Sequence, residues 1–169
     1  MHRSLSSIRA SLARAVRQVY SRAGRAFPPK RWHHLSEVRR FSHQVQGTPD
    51  PSVIGRALVS AIAQGVAAER VLLFLLHPNQ DKLVVAASEG VDDLYPMSLQ
   101  RSSPFLIWLG EQHRVVAAEE IHPLPQWQVL PPAEREALSA FGSRLFVSMP
   151  TGSANNALLV IGSRKGGTT

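Results

Sequence analysis

Residues 70–88 read RVLLFLLHPNQDKLVVAAS. Two apolar runs flank a Pro-Asn-Gln-Asp turn, so the stretch predicts a β-hairpin. The first run, Arg70 to His77, is apolar without alternation, which marks a central strand covered on both faces. A second hairpin is predicted near the C-terminal end. There, residues 143–163 read SRLFVSMPTGSANNALLVIGS, with strands over Ser143–Met149 and Asn156–Ser163. Hairpins at both ends point away from a parallel Rossmann sheet and toward one antiparallel sheet with helices packed on it.

The segments around these hairpins are helical or short. Asp50 followed by Pro51 is a helix-start signal. The buried stripe expected beyond it is Val53, Ile54, Ala57, Leu58, Ala61, Ile62 and Gly65. Leu35 to Val45 reads as an earlier helix, closed by Gly47-Thr48-Pro49. Between the hairpins, weak strands are expected at Met97–Gln100 and Arg114–Ala117. Ser103-Pro104 starts a helix to Glu111. Residues 118–132, with four prolines, read largely as irregular loop, and Ala133–Ala140 as a short helix. The expected fold class is α+β, a single antiparallel sheet of five or six strands flanked by helices, preceded by an amphipathic arm.

Composition narrows the function. The 169 residues contain no cysteine, which excludes disulfides, iron–sulfur clusters, thiol nucleophiles and cofactors attached through a thiol. The net charge of +7 is unevenly placed: residues 1–40 carry +9 and the remainder −2. Only the arm is therefore a candidate for binding an anionic partner. Over residues 4–26, Leu5, Ile8, Leu12, Val16, Val19 and Tyr20 form a helical stripe, with arginines largely off it, and Phe27-Pro28-Pro29 ends it. This pattern fits a membrane-surface helix, a dimerising helix, a transit peptide, a nucleic-acid contact or a solvated connector. Nucleic acid is the least favoured partner.

No catalytic constellation emerges. Ser148 lies outside any G-x-S-x-G elbow, and there is no G-x-x-x-x-G-K-[ST] loop. Asp92-Asp93 and Glu119-Glu120 are adjacent pairs, read as solvated loop charges. His33 and His34 are neighbours, a poor metal pair on a helix. His43 sits in FSHQVQGTP, which superficially resembles a histidine-kinase phosphoacceptor box. Gln44, however, replaces the acid beside the histidine, and Gly47 spoils the spacing. The chain is read as a non-enzyme without a metal site.

The body resembles a GAF domain, the sensor module of signalling proteins. The resemblance rests on LSEVRRFSHQVQ, SVIGRALVSAIAQGVA, ERVLLFLLH, KLVVAASEGV, SRLFVSMP and NNALLVIGSRKGG, in that order. It covers roughly residues 35–166 and lies in the order of elements, with no single decisive motif. Departures are Thr151 after Pro150, Asn155-Asn156-Ala157 where the family has an early glycine, and no closing helix before Thr169. The resemblance implies a GAF/PAS-like fold and a division into an arm (1–31) and a sensor domain (32–169) that lacks its closing helix. It implies a fragment of a histidine-kinase-type, two-component sensor: a homodimer through its N-terminal helices, relaying a signal to an output domain. The location implied is cytoplasmic, as the cytosolic part of a membrane-bound sensor, with residues 1–31 at the membrane surface. Ligand in the family sits between the sheet and the middle segment. The candidates here are Tyr95, Phe105, Trp108, His113, His122 and Trp127. Covalent bilin is excluded without cysteine, the N-K-x-F-D-E signature of cyclic-nucleotide binders is absent, and haem would need His113 or His122. The cofactor is left unknown, and a ligand-free dimerisation or interaction module is the alternative.

Overall fold

The computed structural model describes residues 50–91, 97–151 and 154–166. The stretches 4–26 and 35–45, together with His33, His34, His43, Asp92, Asp93, Tyr95 and the arm–domain boundary, lie outside the described residues.

Helix α1 (Pro51–Val66) begins as the sequence predicts. Asp50 is extended, and its carboxylate accepts a hydrogen bond from the Ser52 N–H at 2.9 Å. That bond satisfies one of the orphan donors of the first turn and holds the Asp50 carboxyl below the usual range. The helix ends at Ala67, which takes a left-handed conformation with φ 54°. The buried stripe is shifted from the expected one. Ile54, Leu58 and Ile62 are buried, and so are Val59, Ala63 and Val66, whereas Val53 is 38% exposed. Ala57, Ala61 and Gly65 are half-buried. The helix is rotated so that its Val59–Ala63–Val66 edge meets the sheet, which the i, i+3, i+4 count alone does not fix.

The two hairpins form as expected. Strands β1 (Val71–Leu76) and β2 (Lys82–Glu89) are antiparallel, and the His77 N–H donates to the Lys82 carbonyl at 2.9 Å across the turn. The register jumps from Leu73 opposite Ala87 to Phe74 opposite Val85, so Ala86 is bulged. Strands β5 (Leu145–Thr151) and β6 (Ala154–Ile161) make the second hairpin. Both weak strands are present, as β3 (Ser98–Gln100) and β4 (Val115–Ala117).

The sheet therefore has six strands in the order β3-β2-β1-β6-β5-β4, every neighbouring pair antiparallel. Alternation divides it into two cores. Leu73, Val147, Leu159 and Ile161 face the α1 side. Leu72, Phe74, Phe146, Leu158 and Val160 face the opposite side, where the middle segment packs. Burial of each such side chain stabilises the fold by about 1.5–3 kcal/mol.

The middle segment corrects one expectation. Residues 118–132 are not mainly loop. They hold two single-turn helices, α3 (Ala118–Ile121) and α4 (Pro125–Gln128), after α2 (Pro104–Glu111) and before α5 (Pro132–Phe141). The prolines account for the misreading. Pro104, Pro125 and Pro132 each sit in a first helical turn, where no N–H is needed. Here proline starts helices.

Candidate functional site

The middle segment places its aromatics from the backbone outward. Ser103 caps α2, its hydroxyl accepting from the Leu106 N–H at 3.3 Å. This start aims Phe105, Leu106 and Leu109 at the sheet, where all three are fully buried. The α4 turn brings in Trp127, which is 4% exposed.

Three rings meet there. Phe105 and Trp127 lie 5.4 Å apart at 77°, Phe105 and Phe146 5.8 Å apart at 86°, and Trp127 and Phe146 6.2 Å apart at 72°. Each pair is edge to face, the arrangement favoured by the ring quadrupoles and worth about 0.5–1.5 kcal/mol beyond burial. The cluster occupies the space between the sheet and helices α2 and α4, where a small ligand was expected.

The other expected residues are distributed around it. His122 is exposed, its ring 5.3 Å from Trp127 and tilted by 41°, so it flanks the cluster. Trp108 is half-buried at the margin of the same core. His113 is exposed just past the end of α2, with φ 47°. Phe105 and Trp127 are thus brought together with His122 beside them, while Tyr95 lies outside the described residues.

Phe146 was not singled out as a site residue. Its signal was present, because Phe146 and Ser148 alternate with Leu145, Val147 and Met149 along β5. Which face met the middle segment required the sheet itself. Ser148, also on β5, is buried, at 8% exposed.

Glu119 and Glu120 are exposed, but they lie in α3 and brace the β4 edge. Glu119 pairs with Arg144 at 3.5 Å. Glu120 holds the Arg114 guanidinium through both carboxylate oxygens and accepts from the Ala117 N–H at 3.2 Å. The contact holds Arg114 still more firmly in its charged form.

Glu134, in the first turn of α5, was also missed. Burial pushes its carboxyl above the usual range, and the Gln100 backbone N–H pulls partly the other way. Its Oε2, like Gln126 Oε1, is enclosed without a hydrogen-bond partner. Among the described residues no group of three or more His, Asp or Glu could hold a metal ion. No described helix is long and apolar enough to cross a membrane.

No protein-family model matches the chain, and no curated protein matches it. Solved structures do. The GAF domain of an Acinetobacter phosphoenolpyruvate-protein phosphotransferase is 16% identical, with a TM-score of 0.57 and 80% of each chain covered. The corresponding domain from Coxiella burnetii is also 16% identical, with a TM-score of 0.55 and 75% of each chain covered. The chromophore-binding domain of an R. palustris bacteriophytochrome is 13% identical with a TM-score of 0.52, covering 75% of this chain and 51% of that one. These likenesses show the fold, which is GAF-like, as the order of elements in the sequence implied.

Proposed function

We propose that this GAF-like domain is a non-catalytic regulatory module that relays a signal to an output domain, such as a histidine kinase, through its packing and partner contacts. The observation that carries the reading is the Phe105–Trp127–Phe146 cluster. The resemblance implies a ligand between the sheet and the middle segment, and three packed rings on that side of the sheet favour relay or interaction over small-molecule capture. The polar groups support the non-catalytic part. Ser148 is buried, and Glu119 and Glu120 are engaged by arginines. A signal moves such a module only by favouring one of two packings over the other. The basic residues 1–31 would hold it at an anionic membrane surface on the cytosolic side, and the N-terminal helices would pair it with a second copy.

A thermal-shift panel on the full chain tests the relay reading. The panel holds nucleotides, cyclic nucleotides, amino and organic acids, and haem. The expected result is an unchanged Tm throughout. A compound at a hundredfold excess over its Kd would stabilise the native state by about 2.7 kcal/mol. That is roughly 5–10 °C for a domain of this size. A shift of that order for any class would replace the relay reading with ligand sensing.

A further inference from the structure

Strand β3 stands at one end of the strand order and consists of Ser98–Gln100. An edge strand turns half its backbone groups away from the sheet. Gln100 stands opposite Lys82, and one step further the Arg101 N–H donates to the Asp81 carbonyl at 3.1 Å. Opposed residues of an antiparallel pair alternate between bonded and unbonded. With Arg101 bonded to Asp81, the Gln100 N–H and C=O point outward, away from β2. The Lys82 carbonyl agrees, since it accepts from the His77 N–H at 2.9 Å instead. Both outward groups of Gln100 find partners. Its carbonyl accepts from the Ser103 N–H at 3.0 Å. Its N–H donates to the carboxyl of Glu134, in the first turn of α5.

That place suits a neutral acid better than an ion. The other carboxyl oxygen of Glu134, Oε2, is enclosed without a hydrogen-bond partner. The β2–β3 end brings Lys82, Asp81 and Arg101 to this region, and Arg101 is paired with Asp81 at 3.1 Å. Helix α5 adds Glu136 and Arg135, whose guanidinium donates to the Gln128 carbonyl at 2.8 Å. Helix α4 has no charged residue. Burial is the larger influence on the Glu134 carboxyl, and it favours the protonated form.

We propose that Glu134 is a proton-operated latch between α5 and the sheet edge, closed while its carboxyl is neutral and released when it ionises. The released carboxylate remains in the first turn of α5, where the helix dipole favours negative charge and water can solvate it. The Gln100 N–H then faces solvent, and this end of α5 loses a tie to β3. The closed latch binds the proton more tightly than the open one. It is therefore complete at low pH and lost as pH rises through the closed-state value. The inference stands apart from the proposed function, because it needs neither a ligand nor an output domain.

Amide exchange read residue by residue by NMR on the full chain tests the latch. Rates at each pH are divided by the intrinsic rate, and Arg101, whose N–H lies inside the ladder, is the internal reference. In the wild type, Gln100 protection relative to Arg101 should fall at least about tenfold between about pH 4 and pH 8, the change expected when closing raises the pKa by about one unit. In E134Q, which can accept the same bond but cannot ionise, the ratio should stay constant. In E134A it should be low at every pH. A constant ratio in the wild type would overturn the proposal, as would an equal fall in E134Q or full protection in E134A. If E134A does not fold, the wild type against E134Q decides the matter alone.

Discussion

Phe105, one residue into α2, meets Phe146, one residue into β5, edge to face with ring centroids 5.8 Å apart and planes at 86°. Forty-one positions apart in sequence, the two rings fasten the middle segment to the sheet. Phe105→Ala should therefore cost about 3–5 kcal/mol, the range for a buried aromatic truncated to alanine. Phe105→Leu should cost clearly less, because most of the volume remains. Urea melts of both variants measure this.

Two backbone positions should respond in opposite directions to small changes. A methyl group on Gly90 would lie 1.8 Å from the Glu69 carbonyl oxygen, and the residue has φ +73°. Gly90→Ala should sharply lower the denaturation midpoint. Ala67 holds the left-handed cap of α1 at φ 54°. Ala67→Gly should raise stability by about 1 kcal/mol, since glycine takes this conformation without the Cβ penalty.

Glu134 predicts a pH dependence. Burial raises its carboxyl pKa in the folded state. The native state then binds its proton more tightly than the unfolded chain does. The resulting stability is whole below about pH 4.3, the ordinary glutamate value. It is lost as pH rises through the raised folded value. Stability curves measured from pH 4 upward should lose that slope in Glu134→Gln, which should also be the more stable protein at neutral pH.

The Arg114–Glu120 pair should matter modestly. Both side chains are partly exposed, at 32% and 45%. Glu120→Gln should cost no more than about 1 kcal/mol, with the loss shrinking as salt is added. Arg114→Lys should cost a similar amount, because a lysine cannot reproduce the two-pronged contact. Melts at low and high ionic strength check both variants.

The hairpins were legible because their signals are local. Continuous apolarity over 71–76, a turn at 78–81 and the alternation in β5 each lie within a few residues. The strand order, and six strands rather than five, were not legible, because they rest on pairings between segments far apart in the chain. The middle segment was harder to read, since proline has the same composition signature whether it breaks a helix or opens one. The site was half legible. Phe105 and Trp127 stood out as large aromatics in the right segment, and they do meet. Phe146 did not, because choosing the face of β5 that met α2 needed the strand order. Glu134 and Gln126 carry no sequence signal at all, as enclosure of a single oxygen atom arises only from tertiary packing.

The central claim, that the interior is closed by its own rings, is tested most directly by opening it. Trp127→Ala removes an indole from the enclosed cluster and should leave an apolar cavity that takes up added indole. Thermal melts of wild type and variant, each with and without indole, make the comparison. The account predicts that indole raises the Tm of Trp127→Ala and leaves that of the wild type unchanged. An equal rise in the wild type would contradict it, because the native domain would then already hold an open pocket.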